Sequence, residues 1–391
     1  MLKFSTAGES HGEALIAVLS GLPAGVAVDQ EFVDRDLWRR QQGYGRGGRM
    51  KLERDAARFL SGVRHGKTIG SPISILLENR DWKNWQESLP VEAGDPEKHR
   101  PVGSPRPGHA DLAGALKFNF PEARYVLERA SARESAARVA AGGVAKLFLR
   151  ELGMEVLSHV IQVGAARLER SVAWEEIVSA CGKDEVLLNC VDGESEERMK
   201  QQVDQVLRTG DTVGGVFEVV AHAVPPGLGT VANWDDRLDT RLAAAVMSLQ
   251  AVKAVEIGDG VLAASLPGSA IHDEIGYDEA ADGFTNFTRG SNHAGGLEGG
   301  ITNGKDVVVR GYLKPISTLR RPLGSVDFAT REPVKAAYER SDVCVVPAAG
   351  VAAEAMVALT LAGAALEKFG GDSMLETRRN FDSYCEQLRR Y

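Results

Sequence analysis

Two stretches decide the reading of the fold: residues 131–152, SARESAARVAAGGVAKLFLREL, and residues 350–369, GVAAEAMVALTLAGAALEKF. Both are long enough for helices, and alanine and glycine occupy several faces rather than one side only. Small residues all round let neighbours approach from more than one direction, so these helices are expected to be buried under sheets. Runs rich in β-branched and apolar residues predict the strands: 73–78 (ISILLE), 156–163 (VLSHVIQV), 215–222 (GVFEVVAH) and 306–313 (DVVVRGYL). Near the start, ALIAVLS and GVAVD flank the turn GLPAG and read as a hairpin or two strands. Residues 31–40 (EFVDRDLWRR) read as a short helix and 235–252 as a long one. The charged, amphipathic stretches 165–210 and 372–391 read as peripheral covers. Residues 81–107 show no clean periodicity and hold five prolines from Pro90 to Pro107. A loop of that length inside a compact domain is a lid or an assembly element.

The 391 residues suffice for one large domain or two ordinary ones. Their hydrophobic share of 43% and charged share of 26% exclude a disordered chain. A net charge of −8 argues against a general nucleic-acid or membrane-surface binder. No uninterrupted apolar run reaches the roughly 20 residues of a membrane span; Pro347 and Glu354 break the best one, Val343 to Leu366. Charges in MLKFSTAGESHGE stand where a signal peptide has its apolar core. Cys181, Cys190, Cys344 and Cys385 have neither zinc-site nor disulfide-framework spacing. The chain therefore reads as cytoplasmic, with unreactive thiols. Glycine, at 43 residues, points to many tight turns.

Against the acidic balance stands one basic segment. Arg35–Lys67 carries eight arginines and two lysines against three carboxylates. Arg39, Arg40, Arg46 and Arg49 flank GYGRGG, and guanidinium forks suit phosphate and carboxylate oxygens. The same segment is compatible with a solvated face or an RNA contact. His11 in GESHG and His109 in RPGHAD sit in turns set by glycine or proline, where an imidazole can be aimed into a cleft to exchange protons. Each alone is equally compatible with a hydrogen-bonded structural histidine. Ser131 and Glu134 have capping-box spacing at the head of the alanine-rich helix. Ser131 there is a helix cap or an anion ligand. Residues 291–300, SNHAGGLEGG, are too glycine-dense for a regular element. No GxGxxG strand–helix unit and no GxxxxGK[ST] occurs, so neither a Rossmann nor a P-loop fingerprint is present. Arg340 and Asp342 lie just before the last apolar helix.

Taken together, GESHG, RR-x5-R-x2-R, RPGHAD, RASARE-x-AARVAAG, VEIGDG, SN-x-AGG-x-EGG, KPIST and RSD-x3-VPAAG occur in an order that resembles the chorismate synthase family. They run from residue 8 to about 350. Ala130 stands where some members have serine. The resemblance implies an α+β fold, a β-α-β sandwich with buried helices between two antiparallel sheets. It implies a single domain over 1–391, carrying the loop at 81–107, and a homotetramer. The implied activity is a carbon–oxygen lyase: anti 1,4-elimination of phosphate from 5-enolpyruvylshikimate-3-phosphate to give chorismate. Reduced FMN is required and not consumed. The long loop fits the family form that depends on an external flavin reductase, and a reduced nicotinamide nucleotide (NADPH) is implied near Arg40 and Arg46. No metal, nucleic acid or membrane is implied.

Carried over residue by residue, His11 serves the departing phosphate and His109 holds the reduced flavin in its anionic state. Asp342 works with the flavin in accepting the ring proton. Arg40, Arg46 and Arg49 bind substrate phosphate and carboxylates, with Arg133 and Arg340 adding charge. FMN contacts fall to Arg129, Ala130, Ser131, Gln250, Ala251, Gly299, Lys314, Pro315, Ile316, Ser317, Thr318 and Arg340, while Arg40 and Arg46 are the cofactor contacts of the nicotinamide nucleotide. Two other readings compete: a single-stranded RNA-binding protein using the Arg/Gly-rich segment 39–51, and a metal hydrolase using His11, His109 and Asp111. Neither accounts for motifs spread over most of the chain.

Overall fold

A computed structural model describes residues 2–47, 54–339 and 342–391. Four antiparallel strands form the first sheet: β1 (Lys3–Ala7), β2 (Ala14–Ser20), β3 (Arg58–Ser61) and β4 (Ile73–Glu78), in the order β1-β2-β4-β3. Five form the second: β5 (Glu155–Val163), β6 (Ala166–Arg167), β7 (Gly215–His222), β8 (Val252–Ile257) and β9 (Val307–Leu313), in the order β8-β9-β7-β5-β6, again antiparallel. Alternation dictates which face each strand buries. Leu15, Ala17 and Leu19 of β2 and Ile73, Ile75 and Leu77 of β4 point inward together. Each such leucine or isoleucine contributes about 1.5–3 kcal/mol by leaving water.

Helices fill the space between the sheets. The helices α1 (Gln30–Gln41), α2 (Arg124–Ala130), α3 (Ser135–Glu151), α4 (Leu238–Met247), α5 (Val346–Phe369) and α6 (Met374–Arg390) are the ones that position the site or the core. α3 packs on the first sheet, α5 on the second, and the two pack on each other. This is the expected β-α-β sandwich, and the small residues explain it. A Cβ built on Gly142 of α3 would lie 2.2 Å from the Cβ of Ala355 of α5, so the crossing requires glycine. α5 has the length and apolarity of a membrane span, but most of it is buried between α3 and the second sheet. Its Pro347 sits in the first turn, where a missing N–H costs nothing, and leaves the helix intact.

Glu354, in the middle of α5, has no exposure to solvent. It accepts from Arg39 Nη2 of α1 at 2.7 Å and from Ser158 Oγ of β5 at 2.6 Å, and pairs with Lys146 of α3. Asp36 completes the group, accepting from Arg39 at 2.9 Å and Lys146 at 2.7 Å. Two cations and two carboxylates thus neutralise one another where α1, α3, α5 and the second sheet meet.

Several local readings differ from the structure. GVAVD is not a strand: it contributes one isolated bridge, Ala27 to Lys67, and Asp29 turns away to cap α1 by accepting from Phe32 N. The partner that makes the N-terminal hairpin is β1. Ser131 caps a 3₁₀ turn over 132–134, and α3 starts only at Ser135. The capping box there is not formed, because Glu134 is taken by Thr6, Arg138 and Gln250. The long helix near 240 spans Leu238–Met247, shorter than the expected 235–252. Residues 81–107 are irregular apart from 3₁₀ turns at Arg80–Asn84 and Pro96–Lys98. Helices Gly193–Thr209 and Met374–Arg390 lie outside as covers, one capped by Asp192 and the other by a Ser373–Glu376 capping box.

Candidate active site

The GESHG turn bridges β1 and β2, and its shape is dictated by Gly8. With φ +99° and a built Cβ 2.3 Å from the Ala14 carbonyl, no larger residue fits. Asn79, at the end of β4, holds the turn by donating to the Glu9 and Gly12 carbonyls at 3.1 and 2.8 Å. His11 is buried there. Glu128 of α2 clamps it twice, accepting from the His11 backbone N–H at 2.7 Å and lying 2.8 Å from Nδ1. Burial opposes the Glu128 charge most strongly, yet the hydrogen bonds and charge of His11 together with the charge of Arg124 outweigh it and keep the carboxyl below its ordinary range. An ionised carboxylate only accepts, so Nδ1 carries the proton and ligand chemistry runs through Nε2. Trp85, from the proline-rich loop, stacks on the ring with centroids 4.1 Å apart.

The second histidine makes a parallel arrangement. His109 Nδ1 lies 2.5 Å from Asp111 Oδ1, and Arg106 donates to Asp111 through its backbone N, Nε and Nη2 at 3.0, 2.8 and 3.0 Å. The carboxylate only accepts and, at 2.5 Å, is a nearer partner of Nδ1 than Arg106 Nη2 at 3.1 Å, so here too the proton on Nδ1 faces the carboxylate. Arg106 also donates to Thr318 Oγ1 at 3.0 Å, and Lys314 donates to the Gly108 carbonyl. These contacts dock RPGHAD against KPIST. Burial pushes the Asp111 carboxyl up, but the bonds from His109 and Arg106 win and hold it well below the aspartate range. A folded-state pKa below the unfolded one gives stability that is complete above about pH 4 and lost as pH falls through the folded value. Asp111→Asn should therefore be less stable than wild type at neutral pH, with the gap closing on acidification. Thermal melts from about pH 6 to about pH 2 check this; a gap that stays constant would refute it.

The arginine cluster is joined to the GESHG turn through Asn79. Asp55 shares its oxygens between Arg40 Nη2 and Arg133 Nη1, each at 2.6 Å. Arg133 Nε also donates to Asn79 at 2.8 Å. Arg46 pairs with Asp342 at 3.0 Å, and Asp342 accepts from Gly47 N at 2.6 Å. Burial depresses the Arg40 pKa, Asp55 offsets part of this, and Arg133 and Arg46 add repulsion. Arg40 Nε is buried with no hydrogen-bond partner among the described residues. Two buried guanidiniums and the half-buried Arg46, with two carboxylates between them and an unused donor on Arg40, make a site that an anion completes. Arg49 and Arg340 lie outside the described residues.

The expected flavin contacts form a connected strip. Arg129 donates to the Thr6 and Gly8 carbonyls, and Ser10 Oγ meets Ser131 Oγ at 3.1 Å. Glu134, beside Arg129, accepts from Gln250 at 3.1 Å; the Ala251 carbonyl accepts from Lys314 N at 3.0 Å. Ile316 accepts from Thr212, and Ser317 faces Gly108. Ala130 ends α2, and Pro315 lies within the same Lys314–Thr318 run. Ala251 takes φ +70°, a strained state for a residue with a Cβ. Gly299 stands apart. Its hairpin caps the start of α4 through Leu238 N and the Gly300 carbonyl, about 15 Å along the helix from Gln250. Among the described residues no group of three or more His, Cys, Asp or Glu could hold a metal ion.

Sequence reasoning missed Asp55, Glu128, Trp85 and Asn79. For Asp55 a signal existed, since it is one of three carboxylates within an arginine-rich run. Glu128 and Asn79 reach across 117 and about 70 residues, and nothing local marks them.

Guanidiniums short of counter-charge near the His11–Glu128 pair, with a second histidine–carboxylate pair docked on the Lys314–Thr318 run, are the groups of an enzyme class that handles protons on small anions. The comparisons make the assignment specific. The family model described as chorismate synthase matches residues 2–366. Chorismate synthases of Koribacter versatilis and Acidobacterium capsulatum are 74% and 70% identical, each over 100% of both chains. That of Geobacter sulfurreducens is 54% identical, also over 100% of both. A solved structure titled as the crystal structure of chorismate synthase is 40% identical, has a TM-score of 0.78, and matches 100% of this chain and 99% of that one. The chain belongs to the chorismate synthase family. Its function is the family's lyase reaction in aromatic amino acid biosynthesis, loss of phosphate from 5-enolpyruvylshikimate-3-phosphate, and the family uses reduced flavin.

Proposed function

We propose that the arginine cluster and the two histidine pairs divide the elimination between them. Arg40, Arg46 and Arg133, joined by Arg49 and Arg340, grip the phosphate and carboxylates of the substrate. His11, protonated on both ring nitrogens with Nδ1–H held by Glu128, delivers its Nε2 proton to the departing phosphate, which leaves with the electrons of its carbon–oxygen bond. Asp342, held by Arg46 and the Gly47 N–H, accepts the ring proton; the electrons of that C–H bond form one double bond, and the existing ring double bond shifts to the carbon that loses phosphate. The observation that carries this reading is the Arg40–Asp55–Arg133 clamp beside His11, with the donor of Arg40 awaiting an acceptor.

The strip from Arg129–Ser131 through Gln250–Ala251 to Lys314–Thr318 suits FMN: cations at both ends, hydroxyls of Ser131, Ser317 and Thr318, and a strained backbone at Ala251. Reduced flavin, when bound, supplies the electron density that loosens the allylic carbon–oxygen bond. His109 exchanges a proton at Nε2 while Asp111 keeps its ring oriented. Arg340 completes the cofactor contacts, and Gly299, which stands apart from the strip, is left out of them. Residues 81–107, carrying Trp85, exclude water from His11 as a lid. We extend the reading to a single functional unit over 1–391, a homotetramer in the cytoplasm, with no nucleic-acid or membrane partner. Flavin arrives reduced from an external reductase, and an NADPH-dependent route would engage Arg40 and Arg46.

The test is an anaerobic assay with 5-enolpyruvylshikimate-3-phosphate and chemically reduced FMN. Stoichiometric phosphate and chorismate are expected; folded protein that releases neither overturns the reading. In the same assay Arg46→Ala should raise KM by about 10²-fold, the loss of one charge-assisted contact of about 3 kcal/mol. Its flavin affinity should change far less. Unchanged substrate affinity would return the arginine loop to a surface role.

A further inference from the structure

We infer that Glu128 is a positioning residue for turnover, one that fixes the tautomer and direction of His11 and leaves substrate binding to the arginines. The inference rests on the reading of His11 as the proton donor. Glu128 has one carboxylate oxygen on the backbone N–H of His11 and the other on Nδ1 of the same residue, at 2.7 and 2.8 Å. Two contacts to one residue fix both the turn and the ring, which a single bond leaves free to swing. The carboxylate is buried and reached through α2, whose Ser10 N–Glu128 carbonyl bond at 2.9 Å ties the same helix to the same turn.

The clamp is itself braced. Arg124, one turn earlier on α2, lies 3.5 Å from Glu128 Oε1 and donates to Glu339 at 3.1 Å and to the Arg100 carbonyl at 2.7 Å. Its guanidinium and that of Arg100 lie over Trp85, 5.0 and 4.8 Å from the ring centroid, and Trp85 in turn covers His11. Glu128, Arg124, Arg100 and Glu339 are charged groups on this side of the imidazole among the described residues, and Glu128 is bonded to its ring. No bond to the arginine cluster runs through Glu128. Its loss should therefore slow proton delivery without loosening the substrate.

The experiment is a double-variant cycle under reduced-flavin assay conditions, with substrate affinity measured by calorimetry. Glu128→Gln keeps the shape but accepts through one oxygen only and admits the other tautomer. It should lower kcat by about 10²-fold, as expected when a histidine loses its orienting carboxylate, with KM nearly unchanged. Glu128→Asp should recover part of the loss. In a His11→Ala background, Glu128→Gln should cost nothing further. Losses that multiply in both backgrounds, or a rise in KM with kcat intact, overturn the inference. If Glu128→Gln fails to fold, Glu128→Asp carries the cycle with the same criteria. A fully active His11→Ala would instead sink the underlying reading of His11, which separates the two failures.

Discussion

His11→Ala is expected to retain its fold and bind reduced flavin as wild type does, while turnover falls by about 10²–10⁴-fold. The ring is buried and held by Glu128 and Trp85, so its removal deletes a proton donor already aimed at one place. Substrate affinity should move little, because Arg40 and Arg133 are held by Asp55 and Asn79 without help from the imidazole. His109→Ala should also lose turnover, but with a change in flavin behaviour, because its turn docks on the Lys314–Thr318 run through Arg106 and Gly108. Steady-state kinetics under anaerobic conditions, paired with flavin titration, separates the two. A His11→Ala enzyme of undiminished kcat would remove the histidine from the reaction.

The second large effect concerns stability. Glu354→Ala should destabilise the fold by about 3–5 kcal/mol, the cost of leaving buried charges uncompensated. Arg39 and Lys146 would then share Asp36 alone, and the Ser158 hydroxyl and N–H would lose their acceptor. The damage is not confined to the core. Arg39 and Arg40 are consecutive on α1, one facing Glu354 and the other Asp55, so the pairing behind the helix sets the direction of the guanidinium in front of it. Denaturant unfolding measures the loss; a shift below about 1 kcal/mol would show that this group is dispensable to the fold.

Much of the architecture was legible because its signals are local. Strands 73–78 and 215–222 fall where alternation and β-branched runs place them, since side-chain period alone decides which face is buried. The alanine–glycine helices were legible as buried ones because a small-residue surface has no other use at that length. GVAVD failed for the opposite reason. Its ladder is a short one with residues 66–68, cut off by the cap at Asp29, and β1 and β4 had already taken both edges of β2. Glu134 matched a capping-box spacing, yet Thr6, Arg138 and Gln250 offered better-paired donors than the turn did.

By itself, then, the amino-acid order determined the burial of the alanine–glycine helices under sheets, the concentration of arginine in an acidic chain, and the two histidine turns. Those depend on periodicity, composition and backbone freedom, which are properties of neighbours in the chain. Only the tertiary structure decided that Asp55 would join Arg40 to Arg133, that Glu128 would clamp His11, and that Trp85 would cover it. These contacts join residues from 15 to 117 positions apart, and side chains that distant meet only once the packing of the core has put their backbones in reach.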